Sequence, residues 1–177
     1  MTTYVAFLRG INVGGHTVKN DRLRELFEDL GFEAVQTFLA SGNVIFACEV
    51  ENSREVEERA ESRLREGLGY NVPTFVRTSE ELFAVADHAP FPHEPSGGKL
   101  HVGFLREEPD HVTVNELAAL TKDTDRVAFR GRELYWQVAG RFMDSALSEP
   151  AIGKVLDDRW TLRTAQTVQR LAAKLRS

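Results

Sequence analysis

The chain has 177 residues, enough to bury a sizeable core without staples, as one domain or as two small halves. No apolar run approaches the roughly 20 residues that span a bilayer, and the single Cys48 excludes an intramolecular disulfide. A net charge of −5 disfavours non-specific binding to nucleic acid. The charge is uneven: Arg159–Ser177 holds five basic residues and no acidic one, leaving −10 on the preceding 158 residues. The first residues, MTTYVAFLRG, lack the basic start and cleavage site of a secretion signal. With one cysteine, this predicts a cytoplasmic protein.

Tyr4 to Leu8 is an apolar run of strand formers, read as a buried central strand. Gly10, Gly14 and Gly15 follow, with backbone able to take positive φ and expose its N–H groups. Successive bare amides form an anion-binding concavity, and Arg9 beside them brings a planar fork of donors for phosphate or carboxylate. The loop is not a standard nucleotide fingerprint, since it has neither the GxGxxG spacing nor a following Gly-Lys-Ser/Thr. Asn12 joins the candidate site. Leu23, Leu26, Phe27 and Leu30 have helical spacing, with Asn20 or Asp21 as cap and Gly31 as terminator. Phe32–Leu39 and Val44–Cys48 read as strands around the turn Ala40-Ser41-Gly42-Asn43, where Ser41 and Asn43 either form the turn or face a ligand.

Asn52 opens a helix to about Leu68, Pro73–Arg77 is a strand, and Thr78 to Glu81 has capping-box spacing before a short helix. The first half thus reads β-α-β-β-α-β, the split order of ferredoxin-like folds. The stretch 88–98 is rich in proline and glycine and reads as a linker; His88 and His93 are expected to be exposed loop residues. The second half begins again with a strand, Leu100–Leu105. A helix capped from Thr113 follows, then strands at Val127–Phe129 and Leu134–Val138, which gives β-α-β-β without a second glycine loop. Tyr135 and Trp136 must face opposite sides of their strand, one in a core and the other free to line a groove. Pro150–Leu156 reads as a short helix. Leu162–Leu175 reads as an amphipathic helix with Ala165, Val168, Leu171, Ala172 and Leu175 on one face. Arg163 would then sit in the first turn, where a cation is disfavoured, so it needs an anion or a carboxylate nearby.

The motifs LRGINVGG, the helix end carrying Leu23, Leu26, Phe27 and Leu30 before Gly31-Phe32, and SGNVIF resemble the bacterial domain of unknown function 1697 family. In that family a C-terminal segment reads T-T-R-N-W-N-T-V. Here Arg163, Thr167 and Val168 match, while Thr164, Ala165 and Gln166 replace Asn, Trp and Asn. The resemblance implies an α+β fold of two ferredoxin-like halves and no established activity. The expected organisation is a first half at 1–87, a linker at 88–98 and a second half with antiparallel sheet and C-terminal helices at 99–177.

The functional expectation is a binder of an anionic, possibly phosphorylated, small molecule, or a small enzyme acting on one. Its site would gather Arg9, Gly10, Asn12, Gly14, Gly15, Ser41, Asn43 and Arg163. No nucleophile-and-base pair or metal-ligand spacing stands out, so the catalytic residues, if it is an enzyme, are not assigned, and no metal or cofactor is expected. A single-stranded RNA-binding module is the first alternative, with Phe46 the lone aromatic on the third strand and the net charge opposing it. A homodimeric interaction module, paired through a sheet edge or the C-terminal helix, is the second. The protein would be a monomer or homodimer, with no membrane contact.

Overall fold

A computed structural model describes residues 1–40, 42–91, 98–121, 125–138 and 149–177. The chain divides into two compact units, Met1–Ala84 and Val85–Ser177. Residues 92–97 of the expected linker, with His93, lie outside the described residues.

The first unit contains β1 (Thr2–Leu8), α1 (Asn20–Glu28), β2 (Glu33–Thr37), β3 (Asn43–Cys48), α2 (Ser53–Leu68) and β4 (Thr74–Thr78), followed by α3 (Ser79–Asp87), which crosses the division. Its antiparallel sheet has the order β2-β3-β1-β4, the arrangement that a split βαβ sequence dictates. Tyr4, Ala6 and Leu8 of β1 alternate onto the helix-covered face with Val44, Phe46 and Val76. Leu23, Leu26 and Phe27 of α1 and Val56, Ala60 and Leu64 of α2 close over them. Val5, Phe7, Ile45 and Phe75, on the opposite face, are buried as well. A strand buried on both faces reads as an unbroken apolar run, which explains the composition of β1.

Alternate N–H groups along the outer side of β4 are taken by carboxylates. Thr74 N–H donates to Glu61 at 2.9 Å, Val76 N–H to Glu57 at 3.0 Å, and Thr78 N–H to Glu81 at 2.9 Å. Glu57 and Glu61 lie one helical turn apart on α2, matching alternate residues of the strand. Glu81 N–H donates back to the Thr78 hydroxyl at 3.1 Å, so the expected capping box at α3 is complete.

The second unit contains β5 (Lys99–Leu105), α4 (His111–Ala119), β6 (Asp125–Arg130), β7 (Glu133–Val138), α5 (Glu149–Leu156), β8 (Trp160–Thr164) and α6 (Ala165–Arg176). Its antiparallel sheet has the order β6-β7-β5-β8, the same topology as the first. The two halves repeat in detail. Val5-Ala6-Phe7-Leu8-Arg9 has its counterpart in Val102-Gly103-Phe104-Leu105-Arg106, and Val76-Arg77-Thr78 in Leu162-Arg163-Thr164. The first N–H beyond each opening strand makes the same bond: Arg9 N–H to Pro73 C=O at 2.9 Å, and Arg106 N–H to Arg159 C=O at 3.2 Å. Each edge-strand arginine is buried and bends back onto the preceding carbonyl, Arg77 onto Val76 and Arg163 onto Leu162, both at 2.8 Å.

Several local expectations change. Leu162 to Thr164 belong to a strand, and the last helix starts at Ala165. Trp160, Thr161 and Thr164 favour extended backbone, and Thr164 caps the helix by accepting from Thr167 N–H at 3.2 Å. Arg163 therefore stands on β8, not in a first helical turn. The N-cap of α1 is Lys19, with no side-chain hydrogen bond, in place of Asn20 or Asp21. Asp110 caps α4, accepting from Thr113 N–H at 2.8 Å, so that helix begins before Thr113. Tyr135 and Trp136 do face opposite sides, but both are buried. Trp136 packs with Leu117, Ile152 and Trp160. His88 is half-buried, its ring edge-on to Tyr135 with 4.9 Å between centroids. Among the described residues no helix is long and apolar enough to cross a membrane.

Candidate functional site

The β1–α1 loop is pinned at both ends and bare between them. At its entry Leu8 N–H donates to Gly42 C=O at 2.8 Å and Arg9 N–H to Pro73 C=O. Ile11 drops its side chain into the core and anchors the middle. Asn12, at φ 59°, then ties the loop shut: its Oδ1 accepts from Val18 N–H at 2.8 Å and its Nδ2 donates to Ala40 C=O at 2.6 Å. An Asn tolerates left-handed backbone better than most residues because its short amide bonds locally, as it does here. Asn12 thus spends both ends of its amide on the protein's own backbone.

Gly14 and Gly15 both adopt positive φ, 59° and 87°, and a Cβ on either would meet nothing within 4 Å. Their requirement for glycine is conformational. Gly42 is different: a Cβ there would lie 3.1 Å from the Leu8 Cβ and 3.2 Å from the Ile11 Cβ. The β2–β3 turn is thereby pressed against the loop. Among the described residues the N–H groups of Gly10, Gly14 and Gly15 donate to no protein acceptor. All three glycines are exposed, as are Asn12, Val13, His16 and Thr17, and Arg9 is half-buried at the strand end.

Of the predicted site residues, Arg9, Gly10, Asn12, Gly14 and Gly15 share this loop. Asn43 sits at the neighbouring turn but is buried; its Nδ2 donates to Phe38 C=O at 2.9 Å, and Phe38 N–H returns to Asn43 C=O at 2.9 Å. It closes its own turn. Ser41 lies outside the described residues. Arg163 belongs to the second unit, where it is buried among β5 and β8 and donates to the Thr161 hydroxyl at 3.0 Å and to Leu162 C=O. Burial alone pulls its pKa down to about 10.

His16 was not singled out from the sequence, although it directly follows Gly15. Its ring lies on that of Tyr70 with centroids 4.1 Å apart and planes 30° from parallel. The imidazole makes no hydrogen bond with any described residue. The Tyr70 hydroxyl oxygen is buried with no hydrogen-bond partner among the described residues, and burial pushes its pKa up. No local signal ties Tyr70 to the loop, because the two are more than fifty positions apart.

The corresponding loop of the second unit has another chemistry. After Arg106 come Glu107, Glu108, Pro109 and Asp110, which with Thr113 and Arg159 line a cavity of about 210 Å³. Among the described residues no group of three or more His, Cys, Asp or Glu is placed to hold a metal ion. On β3, Phe46 is buried against Phe32 and Phe27, with centroids 4.7 and 5.3 Å away, inside the helix-covered core.

Comparison with known proteins agrees with this architecture. No curated protein matches. A solved structure described as the conserved bacterial protein SP0830 from Streptococcus pneumoniae superposes with a TM-score of 0.81 at 21% identity, over 100% of this chain and 99% of that one. At that identity the likeness speaks for the fold. Residues 1–135 match the family described as protein of unknown function (DUF1697), a span that includes the glycine loop, the β2–β3 turn and the whole first sheet. The chain belongs to the DUF1697 family.

Proposed function

We propose that the first unit binds a small anion, such as a phosphate monoester, on the β1–α1 loop. The observation that carries this reading is the set of amides at Gly10, Gly14 and Gly15 that meet no acceptor among the described residues, in a loop where the N–H groups of Leu8, Arg9, His16 and Val18 are bonded internally. An array of N–H donors with left-handed glycines is the backbone geometry that cradles anions. Arg9, half-buried at the end of β1, carries a guanidinium of the kind suited to a phosphate or carboxylate edge. Asn12, Gly42 and Ile11 hold the loop in shape so that little conformational freedom is lost on binding. Binding is what these groups are suited to; among the described residues no nucleophile-and-base pair accompanies them.

The test is thermal unfolding with inorganic phosphate, ribose 5-phosphate and citrate, on the wild type and on Arg9→Ala. A ligand at 100 times its Kd adds about 2.7 kcal/mol of stability. Stabilisation by one of these anions that weakens in Arg9→Ala supports the site, provided amide resonances of Gly14 and Gly15 shift on titration. Stabilisation unaffected by Arg9→Ala places the anion elsewhere.

A further inference from the structure

We infer that the occupant of this loop carries a flat aromatic group beside its phosphate, as a nucleoside 5′-monophosphate does, and that His16 is the plate on which the base lies. The inference rests on the anion-site reading above and adds its substrate class.

Three observations converge. His16 follows Gly15 directly, so its Cα stands about 3.8 Å from that of a residue whose amide is bare. A phosphate held at Gly14 and Gly15 therefore has its ester substituent within reach of the imidazole. One face of that imidazole is backed by Tyr70 at 4.1 Å, and no other described ring touches it. The side chain is exposed and makes no hydrogen bond with the described protein, so neither a structural bond nor a core contact explains its placement. The Tyr70 hydroxyl is buried and meets no partner among the described residues, so the hydroxyl does not account for the position of the ring. A two-ring stack with one open face beside bare amides has the ingredients for a base and a phosphate together. Base–aromatic stacking tolerates any base, because every base has a π-face.

Titrations of the full chain with inorganic phosphate, ribose 5-phosphate, AMP and UMP, and with an unphosphorylated eight-nucleotide oligouridine, test the inference. AMP is expected to bind about tenfold tighter than ribose 5-phosphate. His16→Ala should abolish that tenfold margin, and His16→Phe, which keeps a plane but no ring nitrogen, should retain it. Equal affinity for AMP and ribose 5-phosphate overturns the stacking role while leaving the anion site intact. Loss of the margin in His16→Phe as well overturns it too, because the imidazole would then act through its nitrogens. Tighter binding of the oligouridine than of UMP overturns the free nucleotide as occupant in favour of a strand. No binding of any phosphate removes the anion site itself, and with it this inference.

Discussion

The two units share one scaffold and differ where the scaffold meets solvent. Each has the same sheet order, the same Val-x-Phe-Leu-Arg opening strand and the same buried arginine turned onto its own edge strand. Yet the loop after β1 is rich in glycines whose amides meet no acceptor among the described residues, whereas the loop after β5 is Glu107, Glu108, Pro109 and Asp110. One end offers donors to an anion; its counterpart presents carboxylates that would repel one. The outer strands differ too. Glu57, Glu61 and Glu81 take alternate amides of β4, while no described side chain accepts from Leu162 N–H, which the β5–β8 register turns outward. The two units agree in what the core needs and differ in what it does not, so a role assigned to one loop does not transfer to the other.

The comparison can be tested at paired positions. Both tryptophans lie in the second unit, so their fluorescence follows that unit while circular dichroism follows both. The largest effect is expected from Gly42→Ala, where a left-handed backbone coincides with Cβ contacts of 3.1 and 3.2 Å; it should cost the first unit about 3 kcal/mol. Gly131→Ala in the equivalent turn of the second unit has positive φ but no close neighbour, and should cost about 1 kcal/mol. Equal losses in urea denaturation would show that packing against Leu8 and Ile11 contributes nothing. Next is Glu57→Ala, which strands the buried Val76 amide and should cost about 2 kcal/mol. Faster hydrogen exchange at Val76 is the direct readout; unchanged exchange would mean the carboxylate does not hold that edge.

The smallest effect concerns acid. In the second unit Arg176 binds Asp87 through its two terminal guanidinium nitrogens, at 3.2 and 2.6 Å, and holds its carboxyl below the ordinary value of 3.8. A carboxyl lowered in the folded state stabilises it above the unfolded value, and the gain disappears as pH falls through the folded one. Arg176→Gln should therefore unfold slightly more easily than wild type near neutrality, with the gap closing below pH 3.8. A gap that persists in strong acid would assign the effect to something other than this pair.

Much of the fold was readable from alternation and turn residues. The apolar run at Tyr4–Leu8, the turn around Gly42 and the capping box at Thr78–Glu81 each obey a local rule that the structure keeps. The error at Leu162–Thr164 arose because Leu162, Ala165 and Val168 fit a helical stripe, while the alternation of a five-residue strand is short. Comparison with Phe75–Thr78 would have resolved it, since both segments end in Arg-Thr before a helix. The loop glycines were legible for the same local reason. The His16–Tyr70 pair was not, because such contacts are made by the fold and leave no spacing in the chain. The burial of Arg163 likewise depends on which face β8 presents, which a helical reading could not supply.

The arginines at Arg77 and Arg163 have a consequence for the crowded cell. Each covers the outward carbonyl of the residue before it, so neither β4 nor β8 presents a full ladder of rungs to a passing extended chain. A molecule built from two open sheets has twice the opportunity to polymerise. Here the same guanidinium latch interrupts one outer strand of each sheet from within.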